Sequence, residues 1–190
     1  MGYTAPSFMK KKAIFLDRDG TLNRDTGYVH TKEAWEWLAY VPESLAKLKA
    51  AGWLLIVVSN QSGIARGMFS ESDLAALEQW VNSILVNMHA EIDAWYHCPH
   101  LPEITGSCSC RKPKPGMLLH AAYEHNLDLT RCWMVGDAKR DVEAGLACGT
   151  KVIKLGRPKE EQIPWFNLHK VPICADLKSA VSLILQTCYC

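Results

Sequence analysis

The sequence lacks a long hydrophobic segment. Its longest aliphatic run is LLIVV at residues 54–58, whereas a helix needs about 20 apolar residues to span a bilayer. After KKK at 10–12, only AIFL precedes the next charged residue, so the apolar core of a signal peptide is missing. MGYTAP at the start and TCYC at the end also fail the common lipidation patterns. We therefore expect a cytoplasmic protein with no membrane partner.

The sequence also lacks an excess of charge of either sign. It contains 21 Lys and Arg against 20 Asp and Glu, which gives a net charge of +1 at pH 7. Proteins that bind nucleic acid carry a basic surface, so we expect no nucleic-acid partner. Repeats and low-complexity linkers are missing too, and 190 residues that are 48% hydrophobic can form one core. These features predict a single domain over residues 1–190.

Short apolar runs alternate along the chain with patterns typical of helices. Strands are predicted at 12–17, 53–59, 93–97, 132–136 and 150–155, and helices at 42–52, 70–88, 116–126, 138–149 and 175–186. This alternation is typical of an α/β protein with one Rossmann-like, doubly wound, mainly parallel sheet that is flanked by helices. Ligands of such sheets bind outside the carboxyl ends of the strands.

Polar clusters follow three of the predicted strands. DRDGT begins at Asp17, SNQSG at Ser59, and Asp137 follows Gly136. Asp17 and Asp19 can face one pocket if the strand remains extended. Converging carboxylates fit Mg²⁺, and a carboxylate can also attack phosphorus. Each cluster alone is more often a solvated turn or a plain loop than a catalytic site, but their shared position at strand ends predicts phosphoryl-transfer chemistry.

Residues 98–110, CPHLPEITGSCSC, concentrate thiols and an imidazole. A disulfide is one interpretation, but a reducing cytosol favours a metal site. The candidate ligands form two pairs with i, i+2 spacing, and seven residues between the pairs allow the chain to fold back into a tetrahedron. This closed set fits a structural Zn²⁺. The set is Cys98, His100, Cys108 and Cys110, and His97 is expected to point to the opposite side.

The motifs FLDRDGT, SNQS, RKPKPG and MVGDAKRD resemble those of the haloacid dehalogenase-like phosphohydrolases. GYVH at 27–30, NQSGIARG at 60–67 and the Cys/His segment resemble the heptose bisphosphate phosphatases within them, and the resemblance covers residues 12–156. It implies a phosphatase without a large cap domain. Such an enzyme removes the 7-phosphate of D-glycero-D-manno-heptose 1,7-bisphosphate and supplies heptose 1-phosphate for lipopolysaccharide-core synthesis.

The resemblance also implies roles for individual residues. Asp17 is the expected nucleophile, and Asp19 the acid and then the base. Mg²⁺ is expected on Asp17, on the carbonyl of Asp19 and on Asp137, while Ser59 and Lys112 hold the phosphoryl oxygens. Relatives often carry Lys directly after the GD pair, where this chain has Ala138. The expected substrate contacts are Asp25, Thr26, Gly27, Tyr28, Ser59, Asn60, Gln61, Ser62, Arg111 and Lys112, with Arg111 on the retained phosphate.

Two other functions fit part of the pattern. Histidinol phosphate phosphatase shares the aspartates and a similar zinc loop, although GYVH and NQSGIARG favour the heptose substrate. A catalytically inactive, zinc-stabilised module that binds a phosphosugar is the second alternative. A polynucleotide phosphatase is disfavoured by the neutral charge. The expected partner is a small-molecule sugar bisphosphate, and the expected state is a monomer.

Overall fold

A computed structural model describes residues 10–187, and the lipidation patterns of the two ends lie outside them. Six parallel strands form one sheet in the order β3-β2-β1-β4-β5-β6. The predicted mainly parallel, doubly wound sheet is confirmed. The strands are β1 (Ala13–Leu16), β2 (Leu54–Asn60), β3 (Ala94–Cys98), β4 (Trp133–Gly136), β5 (Lys151–Leu155) and β6 (Ile173–Cys174).

Helices connect the strands, and several begin at sequence signals. Ser70 accepts a hydrogen bond from the N–H of Asp73 in a capping box before α2, and Asp176 does the same for Ser179 before α7. The helices are α1 (Val41–Ala50), α2 (Glu71–Leu85), α3 (Pro102–Thr105), α4 (Gly116–Glu124), α5 (Lys139–Ala147), α6 (Ile163–Leu168) and α7 (Leu177–Gln186). None of these helices is long and apolar enough to cross a membrane.

The core lies on both faces of the sheet, because successive strand residues point to opposite sides. On one face Ile14 and Leu16 pack in a cluster that includes residues of α1, α2 and α7. On the other face Ala13 and Phe15 pack with residues of α4, α5 and α6. Full burial of each large aliphatic or aromatic side chain contributes about 1.5–3 kcal/mol. The central strands β1 and β4 are therefore rigidly held.

The apolar stripe predicted for α2 is right for most of its length. Leu74, Leu77, Val81 and Leu85 are buried. The prediction that the helix extends to Met88 is wrong, because the chain tightens into a 3₁₀ turn at Val86–Met88 and leaves Met88 exposed. Residues 17–40 and residues 99–115, which include α3, form long connections at the carboxyl edge of the sheet.

Candidate active site

Three aspartates meet at the carboxyl edge of the two central strands. Asp17 follows β1, Asp137 follows β4, and Asp141 lies in the first turn of α5. One carboxylate oxygen of each lies within 4.8 Å of the others. Asp17 and Asp141 are buried, and the N–H of Asp17 donates to the carbonyl of Val135 at 3.0 Å. We call these three residues the aspartate triad.

Two glycines allow the aspartate triad to form. Gly20 has a φ of +81°, and a side chain there would overlap the carboxylate of Asp137. At Gly136, an added Cβ would lie 2.5 Å from the carboxylate of Asp141. Both glycines are therefore required by the close approach of backbone and carboxylate.

Lys112 contacts two members of the aspartate triad. Its Nζ is 2.8 Å from Asp17 and 2.7 Å from Asp141, and it donates to the carbonyl of Val58 at 2.7 Å. Burial alone would lower the pKa of Lys112, but the carboxylates of Asp141 and Asp17 outweigh burial and raise it. The ammonium therefore stays charged, and hydrogen bonds to Asp17 and to the carbonyl of Val58 fix its position beside Asp141.

Electrostatics at the aspartate triad favour a divalent cation. Burial raises the pKa of Asp137 to about 6, and the charges of Asp17 and Asp141 act in the same direction. Burial and Asp17 also raise the pKa of Asp141, against the effect of Lys112. Among the ion pairs within residues 10–187, Lys112 is the only partner of these three carboxylates, so negative charge is in excess at the aspartate triad. Within residues 10–187, Oδ1 of Asp137 is buried without a hydrogen-bond partner. This oxygen-only donor set fits Mg²⁺.

Asp19 stands apart from the aspartate triad. Its carboxylate accepts hydrogen bonds from Arg18 Nη2 at 2.8 Å, Asn23 Nδ2 at 2.9 Å and Gln61 Nε2 at 3.1 Å. Arg18 is itself buried and also donates to the carbonyl of Val29 at 2.6 Å. Sequence reasoning missed the contact that Arg18 and Asn23 make with the Asp19 carboxylate. It orients the carboxylate through charge-assisted hydrogen bonds.

The last residues of β2, together with Gln61, link Asp19 to Lys112. Gln61 Nε2 donates to Ser59 Oγ at 2.7 Å as well as to Asp19. The Asn60 amide exchanges two hydrogen bonds with the backbone of Lys112, each 3.0 Å long. Ser59 is buried at the end of β2, while Ser62 is half-buried. The predicted residues Asn60 and Gln61 thus hold other residues of the site in position through hydrogen bonds.

The predicted substrate loop, residues 25–28, is exposed throughout. Asp25 Oδ1 accepts from the N–H of Gly27 at 2.9 Å and closes a tight turn. Gly27 and Tyr28 have φ angles of +83° and +54°. The guanidinium of Arg66 lies 6.0 Å from the centre of the Tyr28 ring. Thr26 and Tyr28 are therefore exposed to solvent on a turn that Asp25 closes, and the Tyr28 ring faces Arg66.

The predicted zinc ligands come together in one cluster. Cys98 Sγ lies 3.1 Å from Cys110 Sγ and 3.6 Å from Cys108 Sγ, and His100 Nδ1 lies 3.3 Å from Cys110 Sγ. All four ligand atoms lie within 4.8 Å of one another, close enough to surround one tetrahedral Zn²⁺ with Zn–S bonds of about 2.3 Å. The cysteines of residues 10–187 are free thiols, so the disulfide alternative is wrong. His97 contacts Glu71 instead, as its position in the strand predicted.

The Cys/His cluster is joined directly to the cations of the site. Arg111 Nη1 donates to the carbonyl of His100 at 3.1 Å, and Lys112 is the next residue. The N–H of Gly116 donates to the carbonyl of Ser109 at 3.2 Å. Burial raises the pKa of the Cys98 thiol to about 12, so a thiolate at this position needs a strong cationic partner. Zn²⁺ would supply that charge and fix the loop that carries Arg111 and Lys112.

Asp141 is the main functional residue that sequence reasoning missed. It lies four residues after Asp137 in MVGDAKRD, so the spacing to the first turn of α5 carried the signal. Its Oδ2 accepts from the N–H of Ala138 at 2.9 Å, which fixes the start of α5. The same side chain therefore caps a helix and orients Lys112.

The chain combines a parallel, doubly wound sheet with an aspartate after its first strand, two aspartates around the end of β4 and a buried lysine. This combination defines a haloacid dehalogenase-like phosphohydrolase. Residues 12–159 match the family model described as polynucleotide kinase 3 phosphatase. A D-glycero-beta-D-manno-heptose-1,7-bisphosphate 7-phosphatase of Pasteurella multocida (strain Pm70) is 48% identical over 158 residues, which cover 80% of this chain and 86% of the relative.

Two further similarities extend over more of the chain. The 7-phosphatase of the same description from Photorhabdus laumondii is 44% identical, over 89% of this chain and 94% of the relative. The crystal structure of D,D-heptose 1,7-bisphosphate phosphatase from B. bronchiseptica, complexed with magnesium and phosphate, superposes with a TM-score of 0.81. It is 32% identical and covers 93% of this chain and 99% of that chain. The chain belongs to the heptose bisphosphate phosphatase family and is a phosphoric monoester hydrolase.

Proposed function

We propose that the chain is a Mg²⁺-dependent phosphatase that removes the 7-phosphate of D-glycero-D-manno-heptose 1,7-bisphosphate and leaves heptose 1-phosphate. The observation that carries this proposal is the aspartate triad with Lys112 in contact, in a chain whose relatives bear that name. Asp17 and Asp137, with the carbonyl of Asp19, would hold Mg²⁺. The ion would neutralise charge on the phosphoryl oxygens.

The first half of the reaction forms an aspartyl-phosphate. A carboxylate oxygen of Asp17 attacks phosphorus, and the bond from phosphorus to the sugar oxygen breaks. Asp19, in its protonated form, gives its proton to the leaving sugar oxygen. Lys112 and Ser59 hold the phosphoryl oxygens in line, and Asp141 keeps the Lys112 ammonium in place at 2.7 Å.

The second half releases phosphate. Asp19, now a carboxylate, takes a proton from a water molecule whose oxygen attacks phosphorus, and the bond from phosphorus to Asp17 breaks. The contacts of Asp19 with Arg18, Asn23 and Gln61 all place donors on its oxygens, which suits the carboxylate of this second half. Arg18 thus acts as a positioning residue.

The rest of the site would select the substrate. The 25–28 loop, Asn60 to Ser62 and Arg111 contact the sugar bisphosphate, and Arg111 binds the retained phosphate through its forked donors. The Cys/His cluster would hold a structural Zn²⁺, because its four protein ligands would leave no position for water. The whole sequence acts as one domain and as a monomer, with a small molecule as its partner.

A phosphate-release assay with Mg²⁺ tests the proposal. Heptose 1,7-bisphosphate and histidinol phosphate are compared side by side, and phosphorus NMR identifies the phosphate that remains on the sugar. We expect the bisphosphate to be hydrolysed at least about 10-fold more efficiently, with the 1-phosphate retained. Faster hydrolysis of histidinol phosphate would instead identify the first alternative. Binding of the bisphosphate without release of phosphate would identify an inactive binding module.

A further inference from the structure

Two side-chain contacts join the region of the 25–28 loop to residues 61–69, which follow β2. The ring of His30 stacks on the ring of Phe69, with the two centres 4.8 Å apart and the two planes at 7°. The guanidinium of Arg66 lies 6.0 Å from the centre of the Tyr28 ring. Since residues 25–28 are themselves exposed, the contacts of the residues next to them decide how firmly the loop is held.

His30 also holds the backbone of Tyr28. Nδ1 of His30 lies 2.7 Å from the carbonyl oxygen of Tyr28, and Nδ1 is the donor because a carbonyl can only accept. Tyr28 has a φ of +54°, in the left-handed region that a residue with a large side chain seldom adopts. Such a conformation persists only where the surrounding structure imposes it. The hydrogen bond from His30 acts directly on the residue that needs this constraint.

Phe69 gives His30 a support that does not depend on the loop. Phe69 is buried and lies directly before Ser70, the residue that caps α2. A side chain at Gly63 would overlap the Phe69 ring, so this ring packs closely on the backbone after β2. Because both neighbours of Phe69 are fixed, the stacked ring of His30 has a defined position as well.

The residue between Tyr28 and His30 is also anchored. Val29 is buried in the core, and its carbonyl accepts from Arg18 Nη2 at 2.6 Å. Three successive residues are therefore each held by a different contact. They form a rigid base for the exposed turn that precedes them.

We propose that His30 is a positioning residue, whose hydrogen bond to Tyr28 and stack on Phe69 hold the 25–28 loop in the conformation that receives the sugar. This inference rests on the proposed function, because it requires the loop to contact the substrate. A loop that is ordered before binding loses less entropy when the ligand arrives. His30 acts through Tyr28 and not on the reacting phosphate, so it affects binding of the sugar rather than the chemical step.

The test separates the two contacts of His30 in the full-length protein with Mg²⁺. His30→Phe keeps an aromatic ring over Phe69 but removes the hydrogen bond to Tyr28. His30→Asn keeps an amide donor at the position of Nδ1 but removes the ring. The matched control is His120→Phe, at an exposed position of α4 on the other face of the sheet.

For each protein, kcat and KM are measured on heptose 1,7-bisphosphate and on p-nitrophenyl phosphate, which has no sugar to contact the loop. Hydrogen exchange of residues 24–30 is followed by mass spectrometry. We expect each His30 variant to raise KM for the bisphosphate about 3- to 10-fold, because each loses one hydrogen bond or one aromatic pair. Its kcat on the bisphosphate and its kcat/KM on p-nitrophenyl phosphate should stay within about twofold of the wild type. Exchange of residues 24–30 should be faster in both variants, and the control should change none of these quantities.

An unchanged KM for the bisphosphate in either His30 variant overturns the proposal, whether or not exchange of the loop is faster. Equal losses on the two substrates also overturn it, because His30 would then support the site as a whole. Wild-type protein that releases no phosphate from the bisphosphate contradicts the proposed function, and the positioning role of His30 falls with it.

Discussion

Asp137→Asn removes one negative charge from the aspartate triad with little change in side-chain size. Burial and the charges of Asp17 and Asp141 raise the pKa of Asp137 from its ordinary value of 3.8 to about 6. The folded protein therefore binds this proton more tightly than the unfolded chain. The stabilisation that comes from this tighter proton binding is fully present below pH 3.8 and is lost as the pH rises through 6. At pH 8, we expect the magnesium-free variant to be more stable than the wild type.

The magnitude follows from the pKa. A rise from 3.8 to about 6 corresponds to about 3 kcal/mol, at ~1.4 kcal/mol for each pKa unit. Asp137 is only half-buried, and screening by solvent reduces this figure to roughly 1–2 kcal/mol. Since 1 kcal/mol moves the Tm of a protein of this size by about 2–4 °C, the Tm of the variant should be higher by about 2–8 °C. The difference should shrink as the pH is lowered from about 8 to 5.

Thermal unfolding followed by circular dichroism measures this difference. Mg²⁺ is removed by ion exchange, because a chelator would also remove the Zn²⁺ that we propose for the Cys/His cluster. Mg²⁺ at about 100 times its Kd should stabilise the wild type by about 2.7 kcal/mol and the variant by much less. Glu161→Gln, which neutralises an exposed carboxylate, is the control. A variant less stable than the wild type without Mg²⁺ at pH 8, or one that gains equally from Mg²⁺, would refute the reasoning.

The other predictions concern the reaction, the retained phosphate and the Cys/His cluster. Asp17→Asn should abolish phosphate release with an unchanged circular dichroism spectrum, and appreciable activity would exclude Asp17 as the nucleophile. Asp19→Asn should still bind substrate in calorimetry but turn over very slowly; normal turnover would remove Asp19 from acid–base chemistry. Arg111→Ala should reduce hydrolysis of the bisphosphate far more than that of a small monophosphate, and equal losses would contradict its role. Cys108→Ser should lower the zinc content from about one per chain and reduce activity while the secondary structure survives. Fully active, zinc-free protein would show that the cluster is no zinc site.

The fold could be predicted from the sequence because each central strand is a short apolar run buried on both faces. The four residues of β1 are all fully buried, so their hydrophobicity is continuous and easily recognised. The elements that were missed are short or irregular. β6 has two residues, and α6 has six with Pro164 near its start. Periodicity cannot be recognised over so few residues.

The aspartate triad was predictable where its residues follow a strand, and not where packing brings a residue in. Asp17 and Asp137 follow β1 and β4, so the parallel sheet brings them together. Asp141 lies in a helix, and its approach depends on the missing side chain at Gly136. The position of Arg18 depends on its hydrogen bond to the carbonyl of Val29, eleven residues away. Contacts of this kind have no local sequence signature.

The pairing of β1 with β4 sets when activity can arise during synthesis. Asp17 stands near the start of the chain, whereas Asp137 and the strand that positions it come about 120 residues later. A growing polypeptide that has left the ribosome only as far as residue 130 carries Asp17, Ser59 and Lys112, but it has no β4 to complete the centre of the sheet. The buried Lys112 then has only one of its two carboxylate partners. A chain that ends before β4 therefore lacks two of the three carboxylates of the aspartate triad, and we expect it to be inactive.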